Sequence, residues 1–105
     1  GGVAKAQENL KIPDLLIFEN KTVATSAWEE DTTYESYGYK ANISCSSVTA
    51  NHYVDVVFNA VNASSGIFAP ICSSGANIVT IWANEIPEET ITIPTIKATK
   101  ARGYL

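Results

Sequence analysis

"YGYKANISCSSV", residues 37–48, alternates with a period of two. Tyr37, Tyr39, Ala41, Ile43 and Cys45 fall on one face; Gly38, Lys40, Asn42, Ser44 and Ser46 fall on the other. Successive side chains of an extended chain point to opposite sides, so this pattern describes a strand with one covered and one wet face. The same period continues outward in both directions. "LLIF" (15–18), "KTVATSAW" (21–28), "VDVVFNAV" (54–61), "NIVTIWAN" (77–84) and "TITIPTIKA" (90–98) are rich in β-branched and aromatic residues. Turn material separates them: "VTANHY" (48–53), "EIPEE" (85–89), and "NASSGIFAP" (62–70), a Gly/Pro-containing loop with room for a helical turn. Six or so short strands predict an all-β chain, a small antiparallel β-sandwich of jelly-roll-like form. Pro94 restricts the last strand to a sheet edge or a bulge.

A chain of 105 residues makes one domain. Its β part is expected over residues 15–105. Residues 1–14 read differently: in "VAKAQENLK" (3–11) Val3, Ala6 and Leu10 recur at helical spacing, and Pro13 ends the run. That is a short N-terminal helix, either a surface piece or the last turn of a stalk, followed by a linker. Gly1-Gly2 and the polar stretch after them lack the apolar core of a signal peptide, so the start reads as a cut through a longer protein.

Charge is unevenly placed. Glu29, Glu30, Asp31 and Glu35 form one acidic group, and Glu85, Glu88 and Glu89 a second; the tail is basic, with Lys97, Lys100 and Arg102. Between residues 41 and 84 the single formal charge is Asp55. The net charge of −4 argues against nucleic acid, which requires a basic face. No apolar run reaches the length of a membrane helix, so no membrane insertion is expected. Two strands are apolar on both faces. "VDVVFNAV" sets Val54, Val56 and Phe58 against Val57 and Val61; "NIVTIWAN" sets Ile78 and Trp82 against Val79, Ile81 and Ala83. Something must cover the outer side: a helix or loop of the same chain, or sister subunits of a symmetric oligomer.

The residue types for catalysis are poorly arranged. Glu29, Glu30 and Asp31 are consecutive and read as a solvated turn, where water keeps all three ionised and no carboxyl is desolvated into a general acid. Calcium loops space their ligands at alternate positions around a glycine, which "EEDTTYES" does not do. His52 is the single histidine and reads as part of a solvated turn, so neither a histidine metal site nor a Ser-His-Asp relay is expected. Cys45 and Cys72 match no metal spacing; with no secretion signal they read as free thiols, a disulfide being the alternative. Asn20, Asn42 and Asn62 open N-x-[ST] triplets, a number expected by chance in so Ser/Thr-rich a chain. No enzyme activity, cofactor or metal is expected.

The order of features, Trp28, Tyr34, Tyr37 to Tyr39, "SVTANHYVDV", "NIVTIWANEIPEE" and Pro94, resembles the C-terminal β-module of fibre, tail and head-decoration proteins of phages and prophages of Gram-positive bacteria. The resemblance runs from about residue 21 to 97, and Cys45 and Cys72 fall outside its pattern. It implies a trimeric, non-enzymatic tip domain on a virion surface, assembled in the bacterial cytoplasm, that attaches to a host-surface ligand such as a glycan. The surface contact is then expected from Trp28, Glu30, Asp31, Tyr34 and His52, with Tyr34 the best candidate for stacking on a sugar. A carbohydrate-binding accessory module of a secreted or cell-wall enzyme is the alternative, and a cap that trimerises a shaft and binds nothing is a third.

Overall fold

The computed structural model describes residues 15–100. The expected N-terminal helix at 3–11 lies outside the described residues, as do residues 101–105. Seven strands are present: β1 (Leu15–Val23), β2 (Trp28–Tyr34), β3 (Tyr37–Ser44), β4 (His52–Val57), β5 (Phe68–Gly75), β6 (Ile78–Ala83) and β7 (Ile91–Lys100), with one short helix, α1 (Ala60–Ser65). They form two antiparallel sheets, ordered β1-β7-β4 and β2-β3-β6-β5. A 3-10 turn, Thr25–Ala27, carries the chain from the first sheet to the second. The connectivity departs from the jelly-roll form, which takes eight strands in two Greek keys. Here two consecutive pairs, β2–β3 and β5–β6, are neighbours in one sheet, because two-residue turns close each as a local hairpin.

The alternation of "YGYKANIS" survives in β3, whose Ala41 and Ile43 are buried while Asn42 and Ser44 face out. They join Val23, Trp28, Val79, Ile81, Ile91, Ile93, Ile96 and Ala98 in one core between the sheets. Two strands were missed by periodicity. "EEDTTY" is strand β2 and not a turn, and "FAPICSSG" is strand β5. Both are edge strands, where few pattern positions are buried and polar residues and proline are tolerated.

Of the two places expected for Pro94, an edge or a bulge, the edge is excluded, since β7 is the central strand of its sheet, and the ladder is instead interrupted at Pro94. The β4 ladder ends at Val57 opposite Thr95, and the β1 ladder passes from Glu19–Thr95 to Lys21–Ile93 without an Asn20–Pro94 pair. Pro94 thus sits where no partner needs its missing N–H. Asn20, opposite, takes the left-handed conformation (φ 54°), which asparagine tolerates better than most residues. Both strands exchange their faces there: Leu16 and Phe18 point inward before the break and Val23 after it, while Ile91 and Ile93 are matched by Ile96 and Ala98.

The loops are tied by local hydrogen bonds. The Asn59 side chain caps α1 by accepting the N–H of Asn62 at 2.8 Å, and Gly66 (φ 77°) ends it. Asn77, in the β5–β6 turn, accepts the Ser47 N–H on its side chain at 2.9 Å and donates its own N–H to the Val48 carbonyl at 2.8 Å. At the seam between the sheets, Cys72 Sγ donates to the Val54 carbonyl (3.2 Å) and Ser74 Oγ to the His52 carbonyl (2.9 Å). Cys45 is buried in the core, and both thiols are free.

Ile96 is fully enclosed at the centre of β7. Ile96→Ala is expected to cost about 2–5 kcal/mol in urea unfolding, through lost transfer energy plus a cavity. Val61→Ser in α1, 78% exposed, should change stability by no more than about 0.5 kcal/mol.

Candidate functional site

The outward face of the larger sheet carries a cluster built around Trp82. Its neighbours across β6 and β3 pair Trp82 with Lys40, and Lys40 in turn lies opposite Glu29 on β2. The register of β2 against β3 then shifts between Glu30 and Tyr34. That bulge re-aims the end of the strand, as bulges do. Asp31 Oδ2 accepts the Trp82 Nε1–H at 2.9 Å and the Thr33 N–H at 3.0 Å, while Oδ1 lies 3.5 Å from Lys40 Nζ. The Tyr34 ring meets the Trp82 ring edge-on, centroids 5.0 Å apart and planes at 87°. This is a favoured aromatic geometry, with the positive edge of one ring on the negative face of the other. Beside it, Thr80 Oγ1 donates to Asn42 Oδ1 at 2.6 Å.

These contacts explain why β6 is apolar on both sides. Trp82 is 5% exposed, roofed by the β2–β3 hairpin of its own chain and not by a sister copy. On β4 the expectation divides. Val54, Val56 and Phe58 pack on the core, but Val57 remains exposed, and Val61 lies in α1, in solvent. With Leu15, Ile17 and Tyr53 (71% exposed), Val57 leaves apolar groups along both flanks of the outer face of the smaller sheet.

The five candidate contact residues do not converge. Glu30, Asp31 and Tyr34 lie together at the hairpin, where with Thr33, Glu35 and Gly38 they line a shallow concavity. Tyr34 is 38% exposed, so one side of its ring remains open. Trp28 points the other way, into the core, 6% exposed and 6.0 Å from the Phe68 ring; its indole N–H has no partner among the described residues. His52 is also buried rather than in a solvated turn: its Nδ1 accepts the Thr49 N–H at 2.9 Å, which assigns the proton of the neutral ring to Nε2. It opens β4 opposite Lys100, at the far end of the fold from the hairpin. Burial takes Trp28 off the surface, and His52 keeps only an edge at shallow concavities beside Tyr53. Lys40 and Trp82 were absent from the candidate set because no sequence spacing links them to Asp31; only strand order does.

The hydrogen bonds from Trp82 and Thr33, helped by Lys40, lower the Asp31 pKa from 3.8 to about 2. A general acid needs the opposite shift. An ionised acceptor beside an exposed phenol ring suits hydroxyl or cationic groups. A second concavity, between β4 and β5, is of mixed character, lined by Val54, Val56, Phe58, Phe68 and Cys72 together with Asp55. Phe58 and Phe68 stack there at 4.6 Å, and burial, then Asp55, pushes the Cys72 thiol above its ordinary value. Among the described residues no three His, Cys, Asp or Glu side chains gather as a metal site, and no helix is long and apolar enough to cross a membrane. Compared with protein-family models, curated proteins and solved structures, the chain matches none.

Because the folded pKa of Asp31 is depressed, its ionised form contributes stability in full above about pH 4. That contribution is lost as the pH falls through about 2. Thermal midpoints measured from pH 5 to 2 should therefore fall more steeply in the wild type than in Asp31→Asn, and tryptophan emission should titrate in the same window only when Asp31 is present.

Proposed function

We propose that the chain is a non-enzymatic structural and attachment module, the C-terminal tip domain of a trimeric phage-type fibre, with a two-sheet sandwich as its fold. The observation that carries this reading is the outer face of the smaller sheet. Leu15 and Ile17 on β1 and Tyr53 and Val57 on β4 flank Thr95, Lys97 and Thr99 on β7, with no element of the described chain over them. Glu19 and Asp55 share this face. It is a mixed surface, with four exposed large apolar side chains set around polar and charged ones, and exposed apolar groups framed by polar ones mark a contact site. In a symmetric assembly each copy supplies the cover for another. The sequence resemblance supports the phage assignment and the count of three, and with it a place on the virion surface.

Attachment is assigned to the hairpin rim, where Glu30, Asp31 and Tyr34 are grouped. Three copies present three such rims, and avidity compensates for weak single contacts. A glycan suits the rim, since a sugar offers hydroxyl donors to carboxylates and C–H faces to an aromatic ring. The same observation favours the second reading, a carbohydrate-binding accessory module of a secreted or cell-wall enzyme. That reading differs in needing no trimer.

Light scattering at micromolar concentration is expected to give three times the subunit mass, and Ile17→Lys with Val57→Lys to give monomers. A monomeric wild type removes the fibre-tip reading. Tyr34→Ala should lower adsorption to bacterial cells by about tenfold at unchanged oligomeric mass, the loss expected for an aromatic anchor of about 1–2 kcal/mol. Release of reducing sugar from wall polysaccharide by the wild type would reassign the chain as an enzyme.

A further inference from the structure

The fold sorts the bunched charges of the sequence to opposite ends. Strand β6 stops at Ala83, and the segment 84–90 carries Glu85, Glu88 and Glu89 before the chain turns into β7 at Ile91. From there β7 runs to Lys100 at the other end, passing Lys97. The connections at that end, 45–51 and 76–77, hold no formally charged residue. Residues 101–105, Ala-Arg-Gly-Tyr-Leu, continue the sequence with a cation, an aromatic ring and an aliphatic side chain.

The acidic end holds a groove that matches this composition. It has a volume of about 370 Å³ between α1 and segment 84–91, and its lining includes Val61, Ile67 and Phe68 on one side and Glu85, Glu88 and Glu89 on the other. Val61 exposes much of its surface there. Among the described residues none of the three carboxylates has an ion-pair partner.

We propose that this groove receives residues 101–105 of a second copy of the chain, in a head-to-tail contact. Arg102 meets the three carboxylates, and Tyr104 and Leu105 fill the apolar side. A copy cannot do this for itself. Ile91 and Lys100 stand about 30 Å apart at the rise of an extended strand, whereas five residues span at most about 18 Å. The contact is heterologous, so copies either close into a ring or keep adding. It stands apart from the attachment reading and uses none of the residues of the exposed sheet face.

Sedimentation of the full chain over a range of concentration, at low salt and at 0.5 M salt, tests it. The expected result is association that grows with concentration and is suppressed by salt, as screened rim charges require. Arg102→Glu and Glu88→Lys should each weaken this step about three- to tenfold, a loss of several exposed pairs. The double variant Arg102→Glu/Glu88→Lys should associate better than Arg102→Glu alone but short of wild type, because the new carboxylate gains the new amine yet still faces Glu85 and Glu89. Tyr104→Ala should weaken it without changing the salt dependence. Glu88 is exposed, and an unchanged thermal midpoint confirms folding of each variant. Ile17→Lys, which addresses the sheet face, should leave the step in place. A mass that does not change with concentration, single variants that associate as the wild type does, or a double variant that associates no better than Arg102→Glu alone would each overturn the proposal.

Discussion

Ile93 and Ile96 are both fully enclosed although three positions separate them, which a regular strand cannot arrange. The inversion of faces at Pro94, matched across the ladder by left-handed Asn20, is what makes it feasible. Without it, either Ile91 and Ile93 or Ile96 and Ala98 would face solvent, and a one-residue slip of this kind exchanges a whole hydrophobic set. The smaller sheet closes the core only because two neighbouring strands break step at the same level.

The larger sheet solves a different problem. Trp82 lies on its outer side, too large to leave wet, and the chain covers it with its own β2–β3 hairpin. Asp31 takes the indole N–H, Tyr34 takes the ring, and Lys40 holds the second carboxylate oxygen. Each contact is modest. Together they convert an acidic edge strand into a lid and, as a by-product, gather Glu30, Asp31 and Tyr34 at one rim. The attachment surface proposed for the module is therefore the outer wall of a structural device, which ties its geometry to the fold.

All four edge strands carry something that discourages pairing with another chain. Strand β5 has Pro70, β2 has three consecutive carboxylates, and β1 is broken at Asn20. On β4 the carbonyls of His52 and Val54 are already occupied by Ser74 and Cys72. Guarded edges leave faces and ends as the surfaces for association. Those are the places where apolar side chains and unpaired charge remain: the flanks of the smaller sheet, and the acidic and basic poles.

The sequence alone determined the all-β class, the β3 alternation, the division between strands and most turns, and the bunching of charge, because each depends on neighbours in the chain. It left β2 and β5 unrecognised, since edge strands bury too few side chains to impose a period. It also could not separate Trp28 from Tyr34. Both are aromatic residues beside acids, yet one points into the core and the other onto Trp82, a choice made by the bulge between Glu30 and Tyr34. Tertiary structure decided which carboxylate meets which indole, sent His52 and Tyr34 to opposite ends, and put the glutamates of segment 84–90 about a strand's length from Lys100. The reason is physical: side-chain direction along a strand is local, whereas strand order and register follow from burying both sheets against one another at once.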